Sequence, residues 1–196
     1  SDVCSSDLLI AQVASIDWSV VESINHIAED NSSDRKIEPL EAVEIKDIKA
    51  NKDKYTAKGI EAIKAGKVAA VLLAGGQGTR LGLDKPKGTL NVGINKDLFL
   101  FEQLINNLLD VVNQSGAYVP LYIMTSDKNN NDTVAFFEEH NFFGYDKDYV
   151  KFFIQSMAPS VDYNGKLYME STDSLAMSPN GNGGWFTSLI DAGLDK

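Results

Sequence analysis

Over residues 8–30 the apolar side chains Leu9, Val13, Ile16, Val20, Ile24 and Ile27 recur at spacings of three and four, one stripe along a helix. Asp17 can divide that stripe by capping a second helix. A polar loop is expected over 31–34, an extended stretch from Pro39, and helix again over 54–66 through Ile60 and Ile63, stopped at Ala65-Gly66. The pattern changes at Val68, where apolar residues run without alternation to Ala74, as in a strand buried on both faces. After a glycine-rich segment and a polar loop reaching Gly93, residues 98–113 read as helix, with Phe101, Leu104, Ile105, Leu108 and Val112 on one face. Strands are predicted over 119–124 and 149–154, and between them a helix over 132–140 capped by Asp132. Strand, helix, strand, helix, strand predicts an α/β parallel sheet with right-handed crossovers. Asn164-Gly165, between Val161-Asp162-Tyr163 and Lys166-Leu167-Tyr168, predicts a two-residue hairpin.

Composition narrows the function classes. The 196 residues, 43 % apolar and 23 % charged, fit one globular domain or a domain with an appendage, and exclude collagen, coiled coil and disulfide scaffolds. Eighteen Lys and Arg against 28 Asp and Glu leave a net charge of −10, which argues against nucleic acid or an anionic membrane as partner. The longest apolar run falls far short of the ~20 residues of a membrane span. The single cysteine, Cys4, suits a reducing, cytoplasmic compartment. Residues 1–8 read as a sequencing artefact, so Cys4 is given no role. Residues 9–66 read as a helical N-terminal appendage. A helical pattern beginning near Trp185 is still running at Lys196, which reads as a fragment. Oligomeric state is not legible.

The chemistry concentrates in Leu73-Ala74-Gly75-Gly76-Gln77-Gly78-Thr79-Arg80-Leu81-Gly82, directly after the first predicted strand. Glycines there allow positive φ and let backbone N–H groups approach a ligand. Such a concavity binds anions, at the strand ends where open parallel sheets take ligands. Between Gly59 and Gly93 five Lys and Arg stand against two Asp and Glu. Arg80 and Lys87 thus lie in a local cationic patch suited to a small anion. The dinucleotide fingerprint fails because Leu81 occupies its third glycine position, and the P-loop fails because Lys87 follows Pro86.

The string from Val71 to Gly82 with Pro86-Lys87-Gly88 resembles the nucleotide signature of the eukaryotic-type UDP-sugar pyrophosphorylases, and within that family the UDP-N-acetylglucosamine group. Further blocks follow in the family's order: Leu121-Tyr122-Ile123-Met124-Thr125-Ser126, Phe136-Phe137 with Phe143-Gly144, Phe152-Phe153-Ile154-Gln155, and Ser178-Pro179-Asn180-Gly181-Asn182-Gly183-Gly184. The resemblance implies a Rossmann-like, glycosyltransferase-A-like nucleotidyltransferase fold with a mixed, mostly parallel sheet. Residues 67–196 would be the first part of that catalytic domain. It further implies transfer of UMP from UTP to a sugar 1-phosphate, N-acetylglucosamine 1-phosphate first among the acceptors, with release of pyrophosphate and with Mg²⁺. By resemblance Leu73, Ala74, Gly75 and Gly76 hold the uracil and the start of the phosphate chain. Gly78, Thr79 and Arg80 wrap the phosphates, and Lys87 contacts them. Gln155 reads the uracil edge, Gly181 approaches the nucleotide, and Asn182 bonds the sugar. Arg80 and Lys87 carry the catalytic charge stabilisation. The Mg²⁺ ligands are expected beyond Lys196, with none in this chain. Asn180 stands where the family has Asp, which leaves that position's turn or metal role open. Two alternatives stay open: a non-catalytic UTP- or UDP-sugar-binding module, and a broad-specificity UDP-sugar or UDP-glucose pyrophosphorylase. His26, His140, Asp127 and Asp132 are read as structural or solvated. Trp18 and the helical phenylalanines are read as core, and Trp185, after the Gly183-Gly184 turn, as a candidate flank of the sugar pocket.

Overall fold

Three short apolar strands, β1 (Ala70–Leu73), β2 (Leu121–Thr125) and β3 (Val150–Ile154), pair in parallel in the order β1-β2-β3. Parallel neighbours need long crossovers. Helix α4 (Leu100–Ser115) and helix α5 (Asn130–Glu139) lie within those connections. The computed structural model describes residues 5–19, 38–76, 78, 82 and 84–195. The chain divides into two compact units, Ser1–Ala42 with Met157–Asn180 and Val43–Ser156 with Gly181–Lys196.

The second unit holds the sheet. Leu121, Ile123 and Val150 point to one face, where Phe101, Ile105 and Val112 of α4 and Phe137 of α5 close the main core. Met124 and Phe153 point to the other, against Leu189 and Trp185 of α6 (Trp185–Asp191). Helices α2 (Ile45–Ala50) and α3 (Lys52–Lys64) precede β1. Gly66 at φ +67 follows α3, the expected stop.

Several sequence expectations need correction. The first strand is not buried on both faces: Val71 and Leu73 are 37 % and 38 % exposed, because α6 covers Met124 and Phe153 but not β1. Leu104 is likewise 46 % exposed, since it overhangs the outer edge of β1 in a hollow of about 230 Å³. The helix expected from Asp132 starts at Asn130, with Asn129 at its cap; Asp132 sits in the first turn. A short helix, α2, occupies part of the stretch expected to be extended. The last helix does not run on to Lys196. It ends at Asp191, where Gly193 turns left-handed at φ +70 and Leu194 N–H returns to Leu189 O.

In the first unit, α1 (Ser5–Ala14) stands beside the two-residue strand β6 (Ser174–Leu175), and Gln12 Oε1 accepts from Leu175 N–H at 3.0 Å. Strand β4 (Met157–Pro159) pairs antiparallel with β7 (Met177–Pro179), and β5 (Met169–Ser171) with β6. Asp17 accepts from Ser19 N–H at 3.0 Å, the expected break and cap. Trp18 lies off the apolar stripe: Ile16 is buried while Trp18 is 45 % exposed, so Trp18 is not core. His26 lies outside the described residues. The hairpin closes through a wider turn than expected, with Gly165 N–H bonded to Asp162 O at 3.0 Å and a bridge between Val161 and Leu167.

Tyr145 pins the entrance of β3 to that of β2. Its hydroxyl donates to Val119 O at 2.7 Å and accepts from Val119 N–H at 3.3 Å. Burial pushes its phenol above the usual value. A raised pKa means the folded state holds the proton more tightly. The stability from this group is therefore full below about pH 10 and is lost as pH rises through the raised value. We expect Tyr145→Phe to cost about 1–3 kcal/mol at neutral pH, because Val119 is left with unpaired polar atoms. It should also flatten the fall in stability above pH 10. Urea unfolding at the two pH values checks both.

Candidate functional site

The carboxyl ends of the three strands lie side by side. Pairing continues one residue past them, Ala74 N–H to Met124 O at 2.7 Å and Gln155 N–H to Thr125 O at 2.8 Å. There the strands give way to loops, so β2 is flanked on one side by the glycine loop and on the other by Gln155.

Gln155 is 6 % exposed, and its Nε2 meets no hydrogen-bond partner among the described residues. A buried amide donor left unpaired is costly, and such exceptions in native folds call for a cause. Its side chain reaches across to Gly75: a Cβ there would lie 2.6 Å from Nε2 and 2.7 Å from Oε1. Gly75 and Gly76 are not among the glycines at positive φ. Glycine is therefore needed at 75 for space, not for the left-handed backbone that the sequence suggested. Among the described residues no acceptor meets the N–H of Gly75 or of Gly76.

A cation stands next to these free donors. Lys87 Nζ lies 3.8 Å from where a Cβ of Gly76 would be, and no carboxylate among the described residues pairs with it. Lys87 opens the 3-10 turn Lys87–Thr89, which is seated on α4. A Cβ at Gly88 would collide with the buried Phe101 ring, so only glycine lets the turn lie on that ring. Pro86 O accepts from Thr89 Oγ1 at 2.8 Å, and Gly78 N–H donates to Lys85 O at 3.1 Å. Between Lys87, Gly76, Leu72 and Phe101 lies a cavity of about 240 Å³.

The remaining candidates are placed less tightly. Thr79 and Arg80 lie outside the described residues. Leu73 is 38 % exposed at the end of β1, and Ala74 packs against the main core. Gly181 and Asn182 form part of the 3-10 turn Gly181–Gly184 leading into α6, and Asn182 is exposed. Among the described residues no hydrogen bond joins Asn182 to the glycine loop or to Gln155. The link is indirect: Ser188 on α6 accepts from Ser156 N–H, one residue past Gln155, at 2.9 Å. Trp185, half-buried, packs against the second core. His140 is held by an Nδ1 contact to Phe136 O at 2.8 Å and by stacking on Phe143.

Sequence reasoning missed Asn129, whose side chain joins the loops after β1 and β2. It is wholly buried, with Nδ2 donating to Ala74 O at 2.9 Å and Oδ1 accepting from Ser126 N–H at 2.8 Å. The preference of Asn for helix caps was the available signal, blurred by Asn130 and Asn131 beside it.

The donor set here is amide N–H, side-chain amide and ammonium. No group of three or more His, Cys, Asp or Glu gathers among the described residues. These residues suit an anion with a polar edge and do not form a Mg²⁺ site.

A family model described as UTP--glucose-1-phosphate uridylyltransferase matches residues 19–196. The chain belongs to that family. Within the UTP–glucose-1-phosphate uridylyltransferase family it is 39 % identical over 169 residues to a UDP-N-acetylglucosamine pyrophosphorylase of Saccharomyces cerevisiae, covering 82 % of this chain and 35 % of the relative. The uridine diphosphate N-acetylglucosamine pyrophosphorylase of Trypanosoma brucei, solved with an inhibitor, matches at 31 % identity with a TM-score of 0.73, covering 94 % of this chain and 39 % of that one. A UDP-glucose pyrophosphorylase of Leishmania major, at 16 % identity and a TM-score of 0.61, shares the fold over 98 % of this chain and 41 % of its own. The chain spans about two fifths or less of the length of the curated relatives it matches. The resemblance read from the motifs and the nucleotidyltransferase-like α/β fold therefore hold.

The orphaned amide predicts a measurable imbalance. Gln155→Met keeps the length of the side chain and removes the unpaired donor, so unfolding free energy should rise by about 1 kcal/mol. Urea unfolding of the two proteins checks this. A loss of similar size would mean that Nε2 has a partner in solution.

Proposed function

We propose that this chain supplies the UTP-binding part of a uridylyltransferase that moves UMP from UTP to a sugar 1-phosphate and releases pyrophosphate. N-acetylglucosamine 1-phosphate is the proposed acceptor, by likeness to the yeast and trypanosome relatives. Residues 67–196 would be the first part of the catalytic domain, and the cytoplasm its compartment. The observation that carries the reading is the buried Gln155 Nε2, without a hydrogen-bond partner among the described residues and held against Gly75. A uracil edge presents carbonyl acceptors and an N–H, which a side-chain amide and a nearby backbone N–H can match together.

In this reading Ala74, Gly75, Gly76 and Gln155 grip the base and the start of the phosphate chain, and Leu73 flanks them. An oxygen of the sugar phosphate attacks the α-phosphorus, the bond to the β-phosphate oxygen breaks, and charge builds on the departing pyrophosphate. Lys87, beside free N–H donors, is suited to stabilise that charge. Gly78, Thr79 and Arg80 extend the same cradle by resemblance, Gly181 approaches the nucleotide, and Asn182 bonds the sugar. No side-chain nucleophile is needed, since the sugar phosphate brings its own. Mg²⁺ belongs to the reaction by family likeness. No step here is assigned to it, because the described residues do not offer it a ligand set.

Calorimetric titration of the chain with UTP, CTP and ATP tests the reading. UTP should bind in preference to the other two, because cytosine replaces one carbonyl of the base edge by an amino group. Lys87→Ala should weaken UTP about 10–100-fold, the worth of a charge-assisted hydrogen bond, with little effect on uridine. Equal binding of the three nucleotides, or none of UTP, overturns the assignment. Sugar 1-phosphate profiling of the longer gene product separates N-acetylglucosamine from glucose as acceptor.

A further inference from the structure

We infer that Asn129 is a positioning residue for the nucleotide loop, fixing the direction of the Gly75 N–H by holding the carbonyl of the same peptide unit. This rests on the reading of the glycine loop as the UTP site. Asn129 stands at the cap of α5 yet makes no side-chain cap bond to its own helix. Its oxygen turns back to Ser126, accepting from N–H at 2.8 Å and from Oγ at 3.0 Å. Its Nδ2 crosses to the other loop, donating to Ala74 O at 2.9 Å and, at the outer limit of 3.5 Å, to Gly76 O. All the side chain's polarity is thus spent between the ends of β1 and β2, and it is wholly buried.

The consequence follows from the planar trans peptide, in which C=O and N–H point in opposite directions. With Ala74 O drawn to Asn129, the Gly75 N–H is driven away from it and left without an acceptor among the described residues. Asn129 never touches the ligand. It decides where a donor that does touch the ligand is aimed.

Asn129→Asp keeps the shape and the acceptor for Ser126 but sets an oxygen against Ala74 O, which should turn the peptide. Asn129→Ser is the second variant: it also accepts from Ser126 and is too short to reach Ala74. UTP titration is run on parent and variants under conditions where unfolding curves show each fully folded. ¹⁵N–¹H spectra follow the Gly75 amide. We expect at least a tenfold rise in Kd for UTP in both variants. The Gly75 amide peak should already be displaced without ligand, and its response to UTP lost. A purely structural role would lower stability and leave the Kd of the folded protein and the Gly75 signal unchanged, which overturns the inference and spares the UTP reading. Should the parent itself fail to bind UTP, the functional reading falls and takes this inference with it. If Asn129→Asp does not fold, Asn129→Ser decides alone.

Discussion

Position 75 can carry no side chain, because Gln155 fills the space a Cβ would need. The two residues end strands that are not neighbours. With β2 between them, β1 and β3 stand roughly 10 Å apart, two ladder spacings. A glutamine crosses that gap above β2 only if the strand end opposite offers bare backbone. The parallel register that levels Leu73 with Met124, and Thr125 with Ile154, is what brings the two ends to the same height. The contact is therefore a product of strand order and register as much as of the two residues.

The cationic side of the site is built on apolar packing. Lys87 is exposed, but the turn that carries it rests on Phe101, whose ring is buried with Ile105 and Phe137 in the main core. Gly88 makes that seat possible, and Phe101 is further packed by Phe136 and Phe137. An ammonium on a flexible stem would otherwise sample many positions. Anchoring its backbone to an aromatic core limits that freedom before any ligand arrives.

Strand and helix order were readable because a period of two or none, and a period near 3.6, are written directly into apolar spacing. The ends were not, since caps depend on which of several adjacent polar residues turns inward. Asn129 and Asp132 are equally good cap formers, and only the tertiary demand of Ala74 O for a donor separates them. Burial of β1 was misjudged for a related reason. Val71 and Leu73 are as apolar as buried strand residues, and sequence cannot tell whether a later helix covers them. Gln155 and Lys87 were legible as chemistry through a family pattern. That Gln155 Nε2 is buried without a partner among the described residues, and that the side chain fills the space beside Gly75, belongs to the folded geometry alone.

Backbone strain is distributed in a way that bears on this. Asn141, Phe142 and Phe143 are three successive non-glycine residues at φ near +50, in the connection that leads from α5 to β3. Left-handed residues of this kind cost about 1–2 kcal/mol each. The turn persists because its rings are gripped: Phe143 packs on Phe137 and His140, and Phe142 on Phe137. At the opposite, carboxyl ends of the strands, the glycines at 75 and 76 are free of such torsion, and what lacks a partner there among the described residues is polar instead: Gln155 Nε2 and two N–H groups. Torsional strain in the connection is offset by the aromatic core and has no route to relief by a ligand. An unpaired donor at the strand ends is different in kind, because an incoming acceptor can relieve it. The torsional cost thus sits where packing holds it, whereas Gln155 Nε2 and the N–H groups of Gly75 and Gly76 sit where an arriving acceptor can pair with them.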